Sequence, residues 1–177
     1  MQENGRHGIS ALQRGMRLAG YSAGARLAPF DFAAGDDQTI VVQMAQQFDC
    51  NGQSTVGNDG IAVNTYKMDT DNKMITCMGN SPAATAMPLI EGVDAMRILY
   101  GIDSDGDDFS EQYVPYDASW NPLEINSLRM AILVNSMSSI RTRNVSETHF
   151  LLDEEIPTDD RISRRVFTTT VMLRNRR

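Results

Sequence analysis

The stretch 101–111 holds Asp103, Asp105 and Asp107 at alternate positions in a turn-prone segment, followed by Asp108 and Glu111. That spacing lets carboxylates converge on a hard cation that demands oxygen ligands, and calcium, with its large and tolerant ligand shell, is the natural candidate. Asp103, Asp105, Asp107 and Glu111 are therefore the candidate metal ligands. Five acids this close repel one another unless a cation, an arginine or water screens them. The stretch departs from an EF-hand. Counted from Asp103, the sixth position holds Asp108 instead of Gly and the twelfth holds Val114 instead of Glu. The flanks at 96–100 and 112–116 also read as strands, not helices. Glu111 completes a shorter site; the alternative is a solvated acidic turn that binds nothing tightly.

Cys50 and Cys77 are the only cysteines, and their spacing fits no zinc or redox motif. Two buried thiols and a disulfide are both open. The bridge is the favoured reading because nothing else in the chain looks cytosolic, and it places the domain in an oxidising compartment. Catalytic chemistry is unmotivated. His7 and His149 have no nucleophile pattern beside them, and no phosphate loop, nucleophile elbow or metalloprotease helix motif occurs. The carboxylate pairs Glu154/Glu155 and Asp159/Asp160 fall in a segment that reads as a loop broken by Pro157, a poor support for acid–base geometry. Asn144-Val-Ser146 is a glycosylation sequon of the kind that arises by chance.

The elements that would position these groups follow from periodicity. Ile9, Leu12, Met16 and Ala19 recur at intervals of three and four, which predicts an amphipathic helix over 5–19, with Gly20 and Gly24 as stop signals. Beyond the helix the period becomes two. Strands are predicted at 38–46, 61–68, 73–78, 96–100, 126–135 and 165–174, with turn chemistry at 69–72 making a hairpin of the second and third. In 126–135, Leu128, Met130, Ile132 and Val134 point one way and Ser127, Arg129, Ala131 and Leu133 the other. Segments 51–60, 79–88 and 137–147 read as loops. One helix followed by strands with no alternating βαβ rhythm predicts an α+β fold, the helix packed on a mainly antiparallel sheet and covering one of its faces.

At 177 residues the chain suits one domain with a single core. Acids outnumber bases 23 to 16, and the formal net charge of −7 argues against a nucleic-acid partner. The charge is unevenly laid out: residues 1–30 carry Arg6, Arg14, Arg17 and Arg26 against Glu3, the middle is strongly acidic, and the last third is arginine-rich. Such a chain satisfies charge internally or against neighbouring copies; a solvated acidic face is the plain alternative. No apolar run is long enough to span a membrane, and the first residues lack the apolar core of a cleavable signal. The N-cap before the helix is weak, as though the helix were already under way.

Three separated segments together resemble the PilW-type minor pilins of bacterial type IV pili. They are Gln2-Glu-Asn-Gly-Arg6 with Leu12-Gln-Arg14 and Met16-Arg-Leu-Ala-Gly-Tyr21; Leu89-Ile-Glu-Gly-Val-Asp94 leading into Leu99-Tyr-Gly-Ile-Asp103-Ser-Asp-Gly-Asp107; and Arg161-Ile-Ser-Arg-Arg165-Val-Phe-Thr-Thr-Thr-Val171 with Leu173-Arg-Asn-Arg176. They occur in the family's order, whereas 25–88 and 137–157 match poorly. The resemblance implies a pilin-like fold, with 1–24 as the C-terminal half of a long helix and 25–177 as a β-rich head. It implies that an apolar half-helix upstream anchors the protein in the inner membrane, and that the head lies in the periplasm and at the extracellular pilus. It further implies a non-catalytic subunit that joins other minor and major pilins in priming assembly, with a place at the pilus tip and a role in adhesion. Ile9, Leu12 and Met16 are the helix face expected to serve subunit packing, part of it laid on the chain's own sheet, while the other faces of the helix meet neighbouring subunits. Calcium in the acidic loop gains support, because related pilin-like proteins carry calcium in this kind of loop. A type II secretion pseudopilin shares the same plan, and a secreted calcium-dependent adhesive module is a further alternative.

Overall fold

A computed structural model describes residues 2–22, 24 and 26–175. Helix α1 spans Gln2–Arg17 and is the only α-helix among the described residues. It ends where Gly20 takes φ +75° and donates its N–H to Gln43 O at 2.8 Å, a conformation that costs glycine little. Ten strands follow among the described residues: β1 (Thr39–Ala45), β2 (Ile61–Asp69), β3 (Met74–Met78), β4 (Met87–Glu91), β5 (Val93–Ile102), β6 (Gln112–Val114), β7 (Ile125–Ser139), β8 (Val145–Leu151), β9 (Glu154–Asp160) and β10 (Ile162–Met172). They form two four-stranded sheets, ordered β1-β2-β3-β4 and β10-β7-β5-β6, and a separate β8-β9 ribbon, with every pairing antiparallel. The α+β expectation holds in outline, with strands dominating. Gly92, at φ +68°, turns the chain from the edge of the first sheet into the middle of the second.

The second sheet is buried on both faces along β7. Leu128, Met130, Ile132 and Val134 are fully buried in the main core with Met96, Ile98 and Tyr100 of β5. On the reverse face Ala131 and Leu133 pack with Leu151, Ile156 and Val166. The helix is thus one cover of this sheet, and the β8-β9 ribbon is a second that periodicity did not foresee. The inward positions of β8 are Val145, Glu147, His149 and Leu151, so polar residues interrupt the alternation that identifies a half-buried strand. The segment around Pro157, expected as a loop, is strand β9. Pro157 pairs with Thr148 at the edge of a two-stranded ribbon, where the proline's missing N–H costs no ladder bond. Likewise 137–147 contains the end of β7 and the start of β8, and Met87 and Pro88 of the expected 79–88 loop belong to β4.

Helix α1 lies unusually close to what it covers. A Cβ on Gly5 would overlap the Phe167 ring, and one on Gly8 would come within 2.5–2.9 Å of three Ile90 carbons. Each helical glycine costs roughly 1 kcal/mol against alanine, and close approach to β10 and β4 offsets that cost.

Candidate metal site

Strands β5 and β6 end side by side and hold the acidic loop between them. Its base is closed by Glu111 N–H donating to Ile102 O at 2.9 Å and Asp103 N–H donating to Glu124 O at 2.8 Å. Carboxylate oxygens of Asp103, Asp105, Asp107 and Glu111 lie within 4.8 Å of one another. Two oxygens on opposite sides of one calcium ion stand about 5 Å apart, so one cation can reach all four. Asp103 is buried and the other three are exposed, which makes a site with a floor and an open mouth.

Backbone amides fix the carboxylates. Asp103 accepts from Gly106 N–H at 2.7 Å and Asp108 N–H at 3.2 Å, one at each oxygen. Asp105 accepts from Asp107 N–H at 3.2 Å, Asp107 from Phe109 N–H at 2.9 Å, and Glu111 from Ser104 N–H at 2.9 Å. A carboxylate oxygen has two lone pairs, so these bonds orient the ligands and leave each able to meet a cation. Gly106 and Asp108 both take the left-handed conformation, φ +81° and +74°. The missing glycine at 108 is therefore no bar to the turn, because aspartate tolerates this region better than most residues. Val114 lies in β6 and supplies no ligand; Glu111 closes the set. The oxygen-only donors fit a hard cation.

Residues beneath the loop had no signal in the sequence. The pairing of β5 with β7 skips a residue at Asn126, between the pairs Gly101↔Ser127 and Ile102↔Ile125. This bulge puts Asn126, 1% exposed, against the Ser110 hydroxyl, which also meets Ser127 Oγ at 2.6 Å. Ser127 in turn donates to Tyr113 Oη at 3.0 Å, and the Arg129 guanidinium sits 3.8 Å over the Tyr113 ring. A Cβ on Gly101 would collide with Ser110 and Ser127, so the network requires glycine there. Bulges of this kind re-aim a side chain beside a site, and only pairing register reveals them.

The remaining expected residues are placed as follows. Cys50 and Cys77 form a disulfide that ties the loop after β1 to β3, with Cα atoms 6.4 Å apart. Leu12 and Met16 are 1% and 0% exposed in the chain's own core, which leaves only Ile9, half-buried, of the face proposed for subunit packing. Intramolecular burial consumes much of that stripe, and the exposed side of α1 is the opposite one, which carries Arg6, Arg14 and Arg17. His7 is exposed, and His149 lies half-buried on β8, 3.4 Å from Thr158 Oγ1 and 3.9 Å from Glu147. Glu154 and Glu155 are both exposed neighbours on β9, and Asp160 is engaged by Arg164. No helix among the described residues is long and apolar enough to cross a membrane.

A type IV-like pilin from Thermus thermophilus is similar in structure, with a TM-score of 0.61 at 12% identity over 98% of this chain and 95% of that one. At that identity the likeness speaks for the fold. No curated protein sequence matches the chain. The family model described as type IV pilus-assembly protein W matches residues 39–175, which takes in the 39–88 stretch where the resemblance in sequence was weakest and leaves α1 outside. With most of its length matched and a pilin-like fold from end to end, the chain belongs to the PilW family of type IV pilus-assembly proteins.

Proposed function

We propose that this protein is a non-catalytic minor pilin that takes part in priming type IV pilus assembly, at the inner membrane and periplasm first and then at the tip of the extracellular pilus. The observation that carries the reading is the family match over 39–175 on a chain whose helix and sheets follow the pilin plan. Its partners are other minor and major pilins, and its anchorage is an apolar segment ahead of α1. It works by association: the sheets bury the inner face of α1 and leave the outer face for neighbours. The acidic loop takes Ca2+ through Asp103, Asp105, Asp107 and Glu111, supported by the convergence of four oxygen donors. A bound cation would hold β5 and β6 together at the exposed end of the sheet, where Phe109 projects, and so firm a surface for adhesion.

Affinity capture of the tagged full-length protein from a piliated strain tests the proposal. Recovery of other type IV pilins is the expected result. Recovery of type II secretion pseudopilins instead, or of no pilin at all after cross-linking, would overturn it.

A further inference from the structure

The arginines of α1 share its outward face. Glu3, Arg6, Ser10, Arg14 and Arg17 fall within an arc of roughly 80° at 100° per residue, turned away from Leu12 and Met16. Arg6, Arg14 and Arg17 are exposed, and none has a carboxylate within 4.0 Å among the described residues. From Arg6 to Arg17 the stripe runs about 17 Å along the helix.

A surface of opposite character surrounds Tyr116. The 31–39 loop folds over this ring: Tyr116 donates its hydroxyl to Phe32 O, and Gly35 lies against the ring edge. Desolvation first, and then the field of the neighbouring Asp36, Asp117, Asp37 and Asp31, push the Tyr116 phenol pKa up. These acids are held mainly by amides. Asp31 accepts from Ala33 and Ala34, Asp36 from Gln38, and Asp117 from Ser119. Arg97 stands 4.0 Å from Asp37 and is committed to Asp153 at 2.7 Å. Tyr116 and Trp120 are partly buried against the core, and what they leave uncovered is aromatic surface of the kind on which guanidinium groups stack.

We propose that the outward arginine face of α1 docks on the carboxylate-rimmed surface around Tyr116 of a second copy of this chain. The proposal rests on the pilus-assembly reading above and names a partner for it. Both surfaces belong to one chain, their charges are complementary, and no ion pair joins them among the described residues. Two different patches meeting head to tail form a heterologous contact, which repeats along a line and does not close on itself as a two-fold dimer does.

Sedimentation velocity on the purified chain provides the test, at concentrations up to about 1 mM and in about 20 mM against about 500 mM salt. The wild type is expected to associate in low salt and to become monomeric in high salt. Arg14→Glu with Arg17→Glu should abolish association, as should Asp36→Arg with Asp37→Arg. An equal mixture of the two double variants, each melting as the wild type does, should associate again, because every interface then pairs opposite charges. A wild type that stays monomeric, a variant that associates as the wild type does, or a mixture that fails to recover would overturn the docking. Binding of a monomeric wild type to anionic lipid vesicles, lost in Arg14→Glu/Arg17→Glu, would instead assign the helix face to lipid headgroups. If the wild type stays monomeric yet supports piliation in cells, the docking fails and the pilus-assembly reading stands.

Discussion

Arg164 Nε donates to Asp94 Oδ2 at 2.5 Å, with both side chains less than one-tenth exposed. The two residues sit on β10 and β5, which are separated in the sheet by β7, and Asn135 of β7 bridges them by donating to Asp94 Oδ1 at 3.0 Å. Lys73 reaches the same oxygen at 2.6 Å, and the rest of the Arg164 guanidinium grips Asp160 at 2.7–2.8 Å. One carboxylate thereby joins β5, β7, β10 and the turn between β2 and β3. Burial pushes the Asp94 carboxyl up, but the bonds from Lys73, Arg164 and Asn135 outweigh it and hold its pKa below the usual carboxylate range.

Asp94→Asn should therefore lower stability by about 2–4 kcal/mol near neutral pH, since it leaves a buried guanidinium with less compensation. The pH profile carries the sign. With a folded-state pKa below its unfolded value of about 4, Asp94 contributes stability that is present above that value and lost as pH falls through the folded-state one. Melting temperatures from about pH 6 down to about pH 2 should show wild type and variant converging towards the acid end. A constant gap would show that the carboxyl charge is irrelevant.

The Cys50–Cys77 bridge closes a loop with a sequence separation of 27. In the chain-entropy model such a loop contributes about 3–4 kcal/mol, and at this chain length replacing both cysteines by serine should lower Tm by about 10 °C. The non-reduced protein should also be lighter than the reduced one by the two hydrogens lost on oxidation. Equal masses would contradict the bridge.

Gly8→Ala is expected to destabilise, against the usual stabilising effect of alanine inside a helix. The new methyl would meet Ile90 Cδ1 at 2.5 Å, and overpacking of this kind costs about 1–3 kcal/mol, more than the roughly 1 kcal/mol gained in helix propensity. Chemical denaturation of the two proteins decides the sign.

The helix, the central strands and the acidic loop were all legible because each carries a local signal. Met96–Ile98–Tyr100 and Leu128–Met130–Ile132–Val134 alternate strictly, and the paired aspartates stand at a regular interval. The β8-β9 ribbon was not legible, because Glu147 and His149 occupy its inward positions. Gly5 and Gly8 read as weak helix residues, since their value lies in Phe167 and Ile90, far away in sequence. Asn126 and Ser110 were missed for a similar reason: a bulge exists only in the register between two strands. Leu12 and Met16 were identified as an apolar stripe, but periodicity says only that a stripe is buried, not whether its own sheet or a neighbour buries it.

Calcium titration of the acidic loop should release or absorb heat at millimolar concentration or below and raise Tm, as any ligand selective for the folded state does. Asp103→Asn should remove both effects, because Asp103 is the buried member of the set and accepts two backbone amides in shaping the turn. An absence of heat at millimolar calcium, with a Tm unmoved by chelator, would identify the loop as a solvated acidic turn.

The most direct measurement for the central claim is the number of surface pili per cell, counted by electron microscopy after deletion of the gene and after its return. Assembly by way of this subunit predicts few or no pili in the deletion strain and wild-type numbers on complementation. Undiminished piliation in the deletion strain would contradict it.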